Sequence, residues 1–147
     1  MLGSEDGPTG GCLCGAIRYR LSQKPTGISI CHCSMCQRAG GGAFQIYGNV
    51  DKNELTWTKG SPRTAKTSAH ARRLFCGDCG TPLIFHYVGE DRWGLVITSL
   101  DDGASYTPTR HDGVESRLSW LRTNDDLPEI RTEDDPEFQE AVEKFSH

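Results

Sequence analysis

Apolar and polar side chains alternate in short runs along this chain, and most runs end at a turn residue. From Ala16 to Leu21, Ile17, Tyr19 and Leu21 take one side while Ala16, Arg18 and Arg20 take the other. That period of two is the pattern of a half-buried strand. Pro25 and Gly27 break it, and GISIC then leads into a cluster of cysteines. GAFQIYGNV, ELTWTKG, RTAKTSA, ARRLF, TPLIFHYV and RWGLVITSL follow as further strand-like runs bounded mainly by Gly, Pro, Asp or Asn. The rhythm predicts an all-β body.

Two segments carry a helical pattern instead. SMCQRA is short and ends at Gly40, where glycine suits a left-handed cap. DPEFQEAVEKF is stronger: Asp135 suits the cap, Pro136 the first turn, and Phe138, Ala141, Val142 and Phe145 share one face. The spacing predicts a C-terminal helix over about 136–146. Residues 1–9 read as a flexible lead-in and 10–147 as one domain, with no internal repeat beyond the cysteine clusters. Trp57, Trp93 and Trp120 are expected in its core.

The 147 residues suffice for one modest core, and a hydrophobic fraction of 35% is lean for building it. A lean core points to help from metal or covalent links. The net charge of -4 argues against nucleic acid or an anionic membrane as partner. No run approaches the ~20 apolar residues that span a bilayer, and the first eleven residues hold no apolar stretch for a signal peptide. The expected location is cytoplasmic. There, seven cysteines read as metal ligands or reactive thiols before they read as disulfides.

The cysteines fall as CLCG from Cys12, CHCSMC from Cys31, and FCGDCG around Cys76 and Cys79. The last is a zinc knuckle by its chemistry: two thiolates three positions apart bite one ion, and Gly77 and Gly80 let the backbone turn amides toward the sulfurs. Cys12 and Cys14, with Gly15 behind them, supply a second pair. Joined, Cys12, Cys14, Cys76 and Cys79 make a closed structural zinc site, the alternative being four ordinary buried cysteines. Cys31, Cys33 and Cys36 remain, and three protein ligands with an open fourth position are what a catalytic zinc requires. Three other readings stand beside it: Cys33 and Cys36 as a C-x-x-C redox pair, His32 as a fourth ligand, or a cluster without metal. In an extended segment His32 points away from its neighbours, which disfavours the second.

The segments GGCLCGAIRY, CHCSMCQRAGGGAF, RLFCGDCGTPLIF and WLRTNDDLP, taken in order from about Gly10 to about Pro128, resemble the glutathione-dependent formaldehyde-activating enzyme family. That family also contains the domain of centromere protein V. The resemblance implies a tent-like sandwich of short antiparallel sheets with two zinc ions. Carried over by position, Cys12, Cys14, Cys76 and Cys79 match the structural site, and Cys31, Cys33 and Cys36 the catalytic one. It also implies the namesake reaction, in which glutathione and formaldehyde form S-hydroxymethylglutathione, classed in reverse as a carbon–sulfur lyase.

A thiol carrying carboxylates calls for basic residues near the open cluster. Arg38 lies two positions past Cys36, and Gly40, Gly41 and Gly42 allow close backbone approach to an anion. Lys66, His70, Arg72 and Arg73 read as solvated faces of edge strands, and His111 as a surface or hydrogen-bonded histidine, the alternative being an acid or base. The leading reading is therefore a zinc-dependent lyase acting on a small thiol and a small aldehyde. The competing classes are a non-catalytic zinc module that binds a partner, and a thiol redox protein using Cys33 and Cys36.

Overall fold

Turn residues arrive too often for long elements, and the computed structural model, which describes residues 6–145, is built of short strands. In chain order they are β1 (Thr9–Gly11), β2 (Arg18–Leu21), β3 (Thr26–Cys31), β4 (Gln45–Asp51), β5 (Leu55–Lys59), β6 (Arg63–Lys66), β7 (Ala71–Phe75), β8 (Pro82–Tyr87), β9 (Arg92–Val96), β10 (Arg110–Asp112) and β11 (Glu129–Ile130). The helices are α1 (Ser34–Gly40) and α2 (Pro136–Phe145). A three-stranded sheet runs β1-β2-β5, and an eight-stranded sheet runs β11-β10-β3-β4-β9-β8-β7-β6. The fold is mainly β, as the alternation requires. Of the expected lead-in, residues 1–5 lie outside the described residues, while Pro8 already accepts a bond from the Leu21 amide and Thr9 opens β1.

Pairing is antiparallel except at β10, which lies parallel to β3 on one side and β11 on the other. A parallel neighbour needs a long crossover, and between β3 and β10 the chain first builds α1 and β4 to β9. The crossover places Asp112 opposite Cys31. It thereby brings the far end of the chain to the cysteine cluster.

The core sits between the sheets, where Ile17, Tyr19, Leu21, Leu83, Ile84, Leu95 and Ile97 are at most 2% exposed. Burying each such aliphatic side chain contributes about 1.5–3 kcal/mol. Tyr19 spans the layers without an unpaired hydroxyl: its oxygen lies 2.6 Å from Ser99 Oγ, which donates to Val96 O at 2.7 Å. Trp57 meets Tyr19 edge-on at 5.9 Å, and Trp93 also packs against the core. Trp120 does not. It is 72% exposed, in a stretch from 117 to 128 that forms neither strand nor helix and offers its ring nothing to pack against.

Both helices begin on the expected residues. Asp135 Oδ1 accepts from the Glu137 amide at 3.1 Å, and α2 is described as far as Phe145 with Ala141 buried beneath it, residue 146 of the expected span lying outside the described residues. In α1 the left-handed cap is Gly41, φ 70°, one residue later than expected, because Gly40 is still part of the helix.

Candidate metal centres and the adjoining pocket

The turns before β2 and β8 are built alike, each from a cysteine, an amide-rich bend and a glycine. In the first, Gly15 N donates to Cys12 O at 3.2 Å and Ile17 N to Cys12 Sγ at 3.2 Å. In the second, Gly80 N donates to Cys76 O at 2.8 Å and Cys79 N to Cys76 Sγ at 3.4 Å. Gly15 and Gly80 share φ 81°, a left-handed value that L side chains avoid. Thr81 clasps the two turns together, taking the Leu13 amide at 3.1 Å and meeting Cys79 Sγ at 3.2 Å. That contact lowers the Cys79 pKa to about 5.

The four sulfurs of Cys12, Cys14, Cys76 and Cys79 lie within 4.8 Å of one another. Cys12 to Cys14 is 3.6 Å and Cys14 to Cys76 is 3.8 Å. A tetrahedral zinc with bonds of about 2.3 Å needs sulfur–sulfur edges of about 3.8 Å. Donor type, number and spacing therefore fit a closed zinc site.

The second group holds Cys31, Cys33 and Cys36, also within 4.8 Å, with no fourth metal-ligating side chain among the described residues. Cys31 ends β3, Cys33 caps α1 and accepts the Cys36 amide at 3.3 Å, and Cys36 is buried in α1. Gly113, at the end of β10, packs so closely that an added Cβ would sit 2.8 Å from Cys33 N. Gln37 ties the helix down, donating to the carbonyls of His32 and Ser116 at 2.9 Å each.

His32 is fully buried and turned away from the sulfurs, as an extended segment requires. Its Nε2 lies 2.8 Å from His111 Nδ1, and His111 Nε2 lies 3.0 Å from Asp125 Oδ1. Burial lowers the His32 pKa to about 4, so this ring is neutral. His111 is thus a buried, hydrogen-bonded link and not a surface residue. The pair belongs to the packing behind the cluster.

In front of the cluster lies a cavity of about 430 Å³. Cys31, Cys33 and Cys36 form part of its floor, and Arg38 stands on its wall. Gly40, Gly41 and Gly42 do not line it. Gly40 backs onto the Gln45 side chain and Gly41 closes α1. Arg73, expected on a solvated strand face, instead lines the cavity beside Cys36 together with Tyr47, with Gln45 bonded to both; neither Tyr47 nor Gln45 was marked by the sequence. Arg73 donates to Tyr47 Oη at 2.8 Å and Gln45 Oε1 at 3.1 Å, lies 3.7 Å from Cys36 Sγ, and stacks 4.8 Å above the Phe85 ring. Tyr47 donates to Gln45 and lies 3.5 Å from Cys36 Sγ.

Bonds from the Cys31 and Cys33 thiols, and then from Tyr47 with the charge of Arg73, lower the Cys36 pKa and hold its sulfur as thiolate. Burial, with the charge on Cys36, pushes the Tyr47 hydroxyl well above its ordinary value and keeps it protonated. A signal for Arg73 was present in the sequence: Arg72 and Arg73 are adjacent in one strand, so one of the two must face inward.

Known proteins are similar to this chain to different extents. Over 78 residues, 53% of this chain and 56% of its own length, a Schizosaccharomyces pombe protein named an uncharacterized lyase is 32% identical. A Halomonas elongata protein named for glutathione-dependent formaldehyde activation is 29% identical over 126 residues, covering 76% of this chain and 78% of its own. The crystal structure of a Rhodobacter sphaeroides protein superposes with a TM-score of 0.52 at 19% identity, over 82% of this chain and 98% of that one, and so has the same fold. The family model described as glutathione-dependent formaldehyde-activating enzyme matches residues 7–116, a span that holds all seven cysteines, and the chain belongs to that family.

Proposed function

We propose that this enzyme is a zinc-dependent carbon–sulfur lyase that joins a thiol such as glutathione to a small aldehyde such as formaldehyde, and in reverse splits the adduct. One observation carries the reading: three cysteines, with no fourth donor among the described residues, face a cavity of about 430 Å³. Cys12, Cys14, Cys76 and Cys79 would hold the structural zinc. A second zinc on Cys31, Cys33 and Cys36 would supply a Lewis acid with an open position, at which a substrate thiol loses its proton near neutral pH.

In the forward direction a bond forms between the thiol sulfur and the carbonyl carbon, the carbonyl π bond breaks, and the thiol's proton ends on the oxygen. Negative charge therefore grows on that oxygen beside the cavity floor. Arg73 has five N–H donors in a fixed fork. Tyr47 and Gln45 take bonds from one arm and Phe85 stacks beneath it, while the other arm faces Cys36. A guanidinium held this way is already oriented when the charge appears, which is where such donors contribute most. Arg38, which lines the wall beyond Cys36, would meet a carboxylate of the thiol.

The test is exchange between glutathione–formaldehyde adduct and free glutathione, followed by NMR magnetisation transfer with zinc-loaded protein. Catalysed exchange is expected in the wild type and should vanish in Cys36→Ser, which keeps its fold. Exchange no faster than in buffer would refute the lyase.

A further inference from the structure

The cavity of about 430 Å³ has to take the thiol as well as the aldehyde, and its walls are unequal. On the α1 side stands Arg38, which has no carboxylate partner among the described residues. Arg73 is held against Tyr47 and Gln45 at the cysteines, and the charged groups farther out are engaged: Arg92 with Glu137 at 2.7 Å, Arg110 with Asp112 at 3.0 Å, and Asp135 with the start of α2. The side facing β7, β8 and α2 is aromatic. Rings follow one another from the cysteines outward, Tyr47 to Phe85 at 5.9 Å, Phe85 to Tyr87 at 5.0 Å, Tyr87 to His70 at 6.1 Å, and His70 to Phe138 at 5.7 Å. All five line the cavity.

Phe138 comes from α2, and the family match stops at residue 116. The outer end of the aromatic wall is therefore built by a segment beyond the matched span, pinned there by the Arg92–Glu137 pair. With the polar thiol lying toward Arg38, a one-carbon limb would leave the outer part of this wall against water, and covering an apolar face is what favours binding.

We infer that the preferred adduct carries an apolar limb of about phenyl size on the carbon bonded to sulfur, and that α2 selects it through Phe138. This rests on the lyase reading for the identity of the ligand. The thiol's carboxylate faces Arg38, the sulfur sits over Cys31, Cys33 and Cys36, and the aldehyde-derived limb runs along Phe85 and Tyr87 toward Phe138. Formaldehyde is then the smallest aldehyde the site accepts and not the one it fits.

The test is calorimetric titration of zinc-loaded protein with two stable thioethers, S-methylglutathione and S-benzylglutathione, which mimic the small and the aromatic adduct. The benzyl compound should bind about tenfold tighter or more, the gain expected from covering a ring. In Phe138→Ala the preference should fall to within about threefold, and Tyr87→Ala tests the same wall from the sheet should α2 come loose in the first variant. Equal affinities, no binding of either compound, or a preference that survives both substitutions would overturn the inference. A preference lost in Tyr87→Ala but kept in a well-folded Phe138→Ala would overturn the role of α2. Turnover is read separately, on glutathione adducts of formaldehyde and of benzaldehyde. If neither is turned over, the lyase reading falls and the binding result stands; turnover with equal thioether affinities refutes the selectivity alone.

Discussion

Gly113 offers a way to disturb the three-cysteine cluster without removing a ligand. Its φ is 63°, and a methyl group added there would lie 2.8 Å from Cys33 N and 3.0 Å from Cys33 Cβ. Two costs follow for Gly113→Ala. The left-handed conformation costs an L residue about 1–2 kcal/mol, and forcing a methyl into a filled space costs typically about 1–3 kcal/mol. Gly89 isolates the first cost, since its φ is 81° but the nearest atom to an added methyl is 3.8 Å away. Gly89→Ala should therefore lose about 1–2 kcal/mol, and Gly113→Ala about 2–5 kcal/mol. At roughly 4 °C per kcal/mol for a chain of this size, the second variant should melt about 8–20 °C below wild type, measured by circular dichroism in excess zinc. Because the clash falls on the backbone of Cys33, competition with a chromophoric chelator should also show weaker zinc binding at one site of two. Equal melting points for the two variants would refute the packing argument, and undiminished zinc affinity would refute the link to the cluster.

Cys79→Ser should unfold the protein, because zinc binding in small domains is worth roughly 10–16 kcal/mol against a folding stability of roughly 5–15 kcal/mol; far-ultraviolet circular dichroism and metal content read this directly. Arg73→Met keeps an unbranched apolar stem but removes the guanidinium that lies over Phe85 and donates to Tyr47, Gln45 and Cys36. Turnover should fall about 10²–10³-fold with zinc content unchanged; an unchanged kcat would remove Arg73 from the chemistry. Asp101 tests the linkage between pH and stability away from the cysteines. Bonds from Arg18 and then Thr9 hold its carboxyl below the usual range, so its contribution is in place above the unfolded value of about 3.9 and is lost as pH falls through the lower folded value. The pair is about half exposed, so Asp101→Asn should cost under about 1 kcal/mol at pH 7, with the gap to wild type closing in strongly acid denaturation curves.

What could be read from the sequence was whatever is written within a few residues. Alternation over Ala16–Leu21 marks β2 because a period of two survives in any single strand, and Asp135 and Pro136 mark the start of α2 because caps are local. The cysteine groupings were legible for the same reason: thiols two or three positions apart are brought together by the local backbone, and both groups have their sulfurs within 4.8 Å. Pairing partners were not. The parallel placement of β10 beside β3 joins residues about 80 positions apart, and no pattern in RHD distinguishes that strand from a loop. Trp120 shows the reverse failure, since an aromatic residue signals burial only if something packs against it, and nothing in the stretch 117–128 does.

The pocket was the least legible part, and the reason lies in how it is assembled. Its floor takes Cys36 from α1, Tyr47 from β4 and Arg73 from β7, three elements that β-pairing brings side by side only once β9 and β8 lie between the latter two. Sequence distance to the cysteines favoured Arg38 over Arg73, yet Arg73 is the residue within 3.7 Å of a sulfur. The difference is one of coupling. Arg38 lies on the same short helix as Cys36 but stands on the exposed side of it. Arg73 is half-buried, and leaving a buried cation unpaired is costly, so Tyr47, Gln45 and Phe85 must all be in place before it can point inward. Its orientation is therefore a property of the folded sheet. It follows that a change in β7 or β8 should alter the chemistry of the cysteine cluster more than a change in the neighbouring turn 40–42, although the turn is much the closer in sequence.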